Sequence, residues 1–447
     1  MRTSRFKWIW LGVALLLLVG LLSAGSLAKP QPAAAQTQPT VGLVCTNGPS
    51  FTLDAKTGYI ILGDGNTMYM WSYAKGGQAF QYPGPVLCVN EGDTVTVVLH
   101  NTLPEATSII FPGQENVLAN GAPVQPQFNT GGNLISLTNM ALANGGSVTY
   151  SFVASKPGTY LYESGTNPEK QVRMGLAGAL VVRPSTVPSG GADTNPAHYV
   201  YNRADSVFTP EEEFMVFLSE IDPYQHQAAE QNKPFDLTKY HVHYWLINGR
   251  TFPDSIADNF ASWLPNQPYG ALARIHPYDK YLPDGTLNPN PQHPYPGMVR
   301  YLNMGFEEIP MHPHGNNGAV IGRDANPLEG PGGEDLSFEK FAINIGPGQT
   351  WDVLFKWYDA ENYSESNPVT VTIPDPANQT IGMFWSGSPY LGVQGPLPPG
   401  VSTLNVCGEY YIISHNHALF QLDAWGVTMA GQITYMRVDP PLPNNCP

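Results

Sequence analysis

Short runs of β-branched and aromatic residues, each closed by Gly, Pro or Asn, constrain this chain more than any other feature. GYIILG, TVTVVLHN, NLISLTN, SVTYSFVA, GTYLYES and AGALVVRP follow one another between residues 36 and 185. Several alternate apolar with polar residues, the mark of strands with one face buried and one solvated. Gly (45) and Pro (43) supply the turns, and charged residues make up only 13% of the chain, so helical and disordered classes fit poorly. The expectation is an all-β protein of β-sandwich or barrel domains with long structured loops.

At 447 residues the chain exceeds one ordinary core. Residues 36–185 form the first expected domain, 186–212 a Pro/Gly/Ser-rich linker, and 213–447 a second all-β domain. In the second, EFMVFLSEI, GMVRYLNMGF, KFAINIGPGQTWDVLFKW, GEYYIISHNHALFQL and GQITYMRV are the strand-like stretches. Two Pro-rich insertions interrupt it, around 263–297 and 367–401, and their aromatic content marks ordered surface loops. The halves echo each other. VNEGDTVTVVLHN, GSVTYSFVA, GTYLYES and GALVV are matched in order by GMVRYLNMGF, GQTWDVLFKW, GEYYIISH and GQITYMRV, a weak internal duplication.

Residues 1–35 have the layout of a secretory signal. Arg2, Arg5 and Lys7 precede an apolar run from Trp8 to about Ala28, and small-residue cleavage sites follow at Ala28 and Ala35. The run is also long enough to act as an uncleaved membrane anchor. In both cases the rest of the chain is exported, to the cell surface or beyond. Export favours disulfides for the four cysteines, with local pairing of Cys45 to Cys88 and Cys407 to Cys446 preferred. The formal net charge of −15 argues against nucleic acid and anionic membrane surfaces as partners.

Eleven histidines placed at random would give well under about one H-x-H pair. Three occur: His241/His243, His312/His314 and His415/His417. On a strand, residues i and i+2 share a face, so each pair sets two imidazoles side by side, as a metal requires. His312/His314 and His415/His417 both lie in the second domain beside turns and are read as metal ligands. His241/His243 is read as an exposed strand face. No G-x-S-x-G, H-E-x-x-H or phosphate-binding Gly loop points to a hydrolase or nucleotide enzyme.

GPVLCVNEGDTVTVVLHNTLPEATSIIFPGQ, GTYLYESGTNPEKQVRMGLAGALVV, IPMHPHGNNGAVIG and YYIISHNHALFQLDAWGVTMAG resemble the four copper-motif segments of multicopper oxidases, the laccase-like cupredoxin family, in its two-domain branch. The resemblance implies two cupredoxin-like Greek-key domains, and it covers most of the chain after residue 40. The family's segments carry H-W-H-G, H-S-H, H-P-x-H-x-H-G and H-C-H-x-x-x-H-x-x-x-x-M. Here Ile110 and Pro112 replace the first pair of histidines, and Glu163 and Gly165 the second. His312, His314, His415 and His417 match trinuclear-cluster ligands. At the type 1 copper positions stand Ile309, Asn416 and Gln421, and Met429 falls three residues beyond the expected axial methionine.

A blue copper site needs a thiolate with two imidazoles, so this pattern implies that the electron-entry centre is lost. It implies one copper at four histidines, with zinc or manganese as alternatives and Glu163 as a fifth ligand. By analogy with the family's two-domain members, Glu163 would arrive from a neighbouring subunit of a homotrimer. The expected protein is a secreted copper-binding relative of these oxidases, with oxidoreductase activity an open question. The competing expectation is a non-catalytic cupredoxin scaffold for assembly, surface attachment or copper buffering.

Overall fold

The computed structural model describes residues 40–282, 284–357, 410–439, 441–444 and 446. The signal-like segment, the insertion around 367–401 and Cys407 lie outside them. The expected all-β fold of cupredoxin-like sandwiches is what forms, as two pairs of sheets. The first pair has a four-stranded sheet ordered Cys45–Asn47, Val86–Asn90, Ala177–Arg183, Gly158–Glu163. It packs on a six-stranded sheet built around Ser50–Ile61, Thr94–Asn101 and Gly146–Val153. The second pair has a nine-stranded sheet around Glu213–Ile221, Gly297–Asn303 and Thr350–Phe355, and a five-stranded sheet. The latter is ordered Ala273–Ile275, Ile433–Val438, Tyr410–Asn416, Ile309–Pro313, Ile343–Ile345.

The pairings repeat. Ser50–Ile61 runs parallel to Thr94–Asn101, which is antiparallel to Gly146–Val153. In the same way Glu213–Ile221 runs parallel to Gly297–Asn303, which is antiparallel to Thr350–Phe355. Gly158–Glu163 is antiparallel to Ala177–Arg183, as Tyr410–Asn416 is to Ile433–Val438. Even the edge matches: Ile110 bridges Glu163 in the first half, and Ile309–Pro313 pairs with Tyr410–Asn416 in the second. The sequence echo therefore reports one topology used twice.

Burial explains the strand composition. In Thr94–Asn101, Val95, Val97 and Leu99 point into a core shared with Val148, Tyr150 and Phe152, while the alternate residues Thr94, Thr96, Val98 and His100 are half-buried or exposed. Glu213–Ile221 does not alternate, because every residue in it is buried. Phe214, Val216 and Leu218 enter the core between the second pair of sheets. Met215, Phe217 and Ile221 enter another core with Val86, Leu161, Ala179 and Val181 of the first pair. All four sheets lie in one compact unit from Pro39 to Pro447.

A buried polar network crosses that junction. Arg300 donates to Glu213 at 2.7 Å and to the Thr159 hydroxyl at 2.7 Å, Thr159 donates to Asp352 at 2.6 Å, and Arg183 donates to Glu213 at 2.6 Å.

The stretch read as a linker is packed down rather than loose: Tyr199, Val200, Tyr201 and Phe208 are buried. Composition signalled turns there, but its aromatics have a core to enter. The 263–297 insertion is anchored likewise by Tyr269, Ile275, Tyr278 and His293, all buried. Cys45 and Cys88 form the expected disulfide, and Cys446 is also disulfide-bonded. Among the described residues no helix is long and apolar enough to cross a membrane.

Candidate metal centre

The Ile309–Pro313 and Tyr410–Asn416 strands pair antiparallel, with His312 opposite His415 and Met311 opposite Asn416. This register turns two separate H-x-H pairs into one group. Backbone bonds continue past the ladder, from His314 N to Ile413 O at 2.9 Å and from His417 N to Pro310 O at 2.7 Å. A left-handed turn at Gly315 (φ 69°) then carries the chain away, where a Cβ would stand 3.2 Å from Trp357.

The ring centroids of His312 and His314 are 4.5 Å apart, those of His314 and His415 5.1 Å, and those of His312 and His417 5.0 Å. One nitrogen from each of His312, His314 and His415 lies within 4.8 Å of the others. His417 falls outside that threesome and is exposed at its rim. A cavity of about 440 Å³ opens beside the group, lined by His312, His314, Asn316, Glu339 and Phe341.

Hydrogen bonds set the tautomers. His312 Nδ1 bonds the Phe341 carbonyl at 2.6 Å, and His415 Nδ1 bonds the Asn416 carbonyl at 2.8 Å. A carbonyl can only accept, so both protons sit on Nδ1 and both Nε2 atoms carry the lone pair, that of His312 directed at the group and that of His415 facing His314. His314 Nε2 and His415 Nε2 approach to 3.0 Å. Burial, and then the charges His312, His415 and His417 would carry, push His314 down to about 4. Burial also lowers His415, against the bond to the Asn416 carbonyl. A neutral imidazole is the form that ligates metal, and this donor set fits Cu(II) or Zn(II).

The other face of the strand is organised differently. Asn416 is fully buried, and its Nδ2 donates to Gln421 Oε1 and, at 2.7 Å, to Gln432 Oε1. Its Oδ1 accepts from Ala418 N at 2.9 Å. Gln421 donates to Glu307 at 2.8 Å, as does the Trp245 indole, and Gln432 donates to the carbonyls of Ser219 and Leu246 at 3.2 and 3.1 Å. Ile309 lies in the apolar core. Met429 packs against the small cluster of Ile413, Leu422, Ile433 and Tyr435. Gln432 and Glu307 were not singled out in the sequence, because amides and carboxylates carry no spacing signature.

The other expected site residues are placed as follows. Glu163 ends the Gly158–Glu163 strand, bridged to Ile110, and burial raises its carboxyl. Within this chain it joins no metal-type group among the described residues. Ile110 instead closes over Gly165, where a Cβ would come within 2.7 Å of Ile110 Cγ2. His241 and His243 are not on a strand, since the Tyr244–Ile247 strand begins just after them. There the His243 ring packs 4.8 Å from Trp425. A second group of donors, Glu212, His276 and His293, had no motif in the sequence: its members come from three unrelated segments.

Residues 77–187 match the model of the multicopper oxidase family. Laccase abr2 of Aspergillus fumigatus is 34% identical over 106 residues, covering 23% of this chain and 16% of its own length. An L-ascorbate oxidase of Cucumis sativus is 32% identical over 119 residues, covering 27% and 18%. A probable nitrite reductase-hydroxylamine oxidoreductase fusion protein of Kuenenia stuttgartiensis is 29% identical over 201 residues, covering 44% and 20%. The matched region thus spans a fifth or less of these relatives. In fold, the chain is similar to a blue copper oxidase from Nitrosomonas europaea, with a TM-score of 0.52 at 16% identity over 88% of this chain and 85% of that one. It is similar also to the multicopper oxidase mgLAC, with a TM-score of 0.53 at 17% identity over 87% and 86%.

Proposed function

From a chain whose residues 77–187 match the multicopper oxidase family and whose fold is cupredoxin-like, we propose an exported protein that binds a single copper ion through His312, His314 and His415. In this reading His417 closes the site from the rim, and no type 1 blue copper centre is present. The carrying observation is the convergence of three imidazole nitrogens within 4.8 Å, with the His312 and His415 Nδ1 protons directed onto carbonyls.

Each residue has a part. His312 and His415 present Nε2, burial and crowding keep His314 unprotonated, and Phe341 fixes the His312 ring through its carbonyl. A bound copper would supply a redox-active Lewis-acid centre. Zinc would fit the same donors, and manganese would require the carboxylate as well. The amide network around Asn416 supports the absence of a type 1 site. It offers no thiolate, and its buried donors and acceptors are already bonded to one another. Four-copper laccase turnover has no electron-entry route in such a protein.

Glu163 belongs to this reading as a ligand from a neighbouring copy in a homotrimer. Two exposed apolar patches of unlike composition favour a head-to-tail contact. Phe341, Leu419 and Phe420 are exposed near the histidines, and Leu134, Ile135 and Leu137 are exposed near Gly165.

Copper-loaded protein should hold one copper per chain by metal analysis, and His312→Ala and His415→Ala should lose it. The bound copper should lack the intense blue absorbance of a copper–thiolate. Wild type holding no more copper than the variants overturns the binding reading and leaves the scaffold. A blue band overturns the absence of type 1 copper, and a monomer by light scattering overturns the trimer.

A further inference from the structure

Away from the paired strands, Glu212, His276 and His293 form a second convergence of metal-type donors. Glu212 closes a 3-10 turn, His276 follows the Ala273–Ile275 strand, and His293 comes from the long insertion. Glu212 is 2% exposed and His293 4%. His276 Nδ1 lies 2.7 Å and His293 Nε2 3.0 Å from Glu212 Oε1. The His276 backbone N–H reaches the same oxygen at 2.8 Å.

This cluster is unevenly bonded. One carboxylate oxygen carries three contacts, while Glu212 Oε2 and His293 Nδ1 are buried without a partner among the described residues. A triad held only for hydrogen bonding would leave those atoms unsatisfied at some cost. Ligands at about 2.0 Å from a tetrahedral ion stand about 3.3 Å apart, so each ring nitrogen needs to move from Glu212 Oε1 by well under about 1 Å to reach that spacing. The surroundings resemble the support that metal-bound histidines receive. His276 Nε2 faces Asp439 Oδ2 at 3.6 Å, and Arg274 and Arg437 hold the fully buried Asp439 at 2.5 and 2.6 Å. A cavity of about 750 Å³ lined by Thr40, Leu43, Glu211, Arg274 and Gln292 gives access.

We propose that Glu212, His276 and His293 form a separate binding site for a divalent first-row cation, of the two-histidine, one-carboxylate type suited to Zn(II) or Fe(II). Cation binding converts both ring–carboxylate contacts into shared ligation, and the partnerless carboxylate oxygen becomes available as a further ligand. Asp439, 3.6 Å from the outer nitrogen of His276, supplies a negative charge that favours the proton there and leaves Nδ1 for the cation.

The test uses the full chain carrying His312→Ala and His415→Ala, which removes the copper site from the measurement. Calorimetric titration with Zn(II) should show one ion per chain, and Co(II) should give a visible spectrum of nitrogen and oxygen ligation. Adding His276→Asn, at a partly exposed position, should abolish both signals with the fold retained by circular dichroism. Asp439→Asn should weaken Zn(II) by about 10–100-fold. Zn(II) bound equally well with and without His276→Asn, or not bound at all, overturns the proposal. The copper reading stands or falls separately, on copper retention by the wild type.

Discussion

Replacing Asn416 by Ala tests whether the amide network contributes to folding, as its bonding implies. Asn416 makes three hydrogen bonds in a fully buried setting, two donated by Nδ2 and one accepted by Oδ1. Truncation leaves Gln421 Oε1, Gln432 Oε1 and Ala418 N without those partners. The two glutamines cannot rescue themselves by flipping. Their own Nε2 groups are engaged, Gln421 on Glu307 and Gln432 on Ser219 and Leu246. Each orphaned buried group costs about 1–3 kcal/mol, and partial relaxation brings the expected loss to about 3–5 kcal/mol.

That is a large part of the roughly 5–15 kcal/mol that holds a domain folded. Asn416→Asp should be at least as harmful, because it presents an acceptor to two acceptors near the Glu307 carboxylate. The assay is urea unfolding of metal-free protein, followed by tryptophan fluorescence. Copper affinity of the folded variant should change little, since His415 and His417 lie on the opposite face of the strand. A loss below about 1 kcal/mol, with unchanged cooperativity, would refute the reasoning.

Two further outcomes are expected. Burial pushes His226 down to about 4 from 6.5, against its bond to the Tyr69 carbonyl. Between those values the unfolded chain binds a proton that the folded protein refuses, so this stability is full above pH 6.5 and lost as pH falls through about 4. The effect is roughly 3 kcal/mol, and His226→Gln should flatten the pH dependence of urea unfolding in that window by about one proton. Arg300→Met leaves Asp352 buried without its cation and Glu213 with Arg183 alone, and should cost about 3–5 kcal/mol in the same assay.

Much of the fold was legible locally. Alternation in TVTVVLHN and SVTYSFVA predicts strands because a strand turns every second side chain inward, and those residues do line one core. The echo between the halves survived as repeated strand pairing, because it recorded where each strand begins and ends. The linker reading was less complete. Composition reported the turns at residues 186–212 but not the core waiting for Tyr201 and Phe208.

The candidate site divides on the same line. The H-x-H spacing by itself determined that His312 and His314 share one side of their segment, and His415 and His417 one side of theirs. Asn416, by its chemistry alone, ruled out a thiolate between them. Only tertiary structure decided that the two pairs meet, because the register of His312 opposite His415 is set by strands a hundred residues apart. It also decided what surrounds Asn416, since Gln421 and Gln432 reach it from separate segments and Glu307 in turn holds Gln421. Glu212, His276 and His293 lie wholly on that side. A site assembled from three distant segments leaves no period or motif, and it exists only once the chain has closed around it.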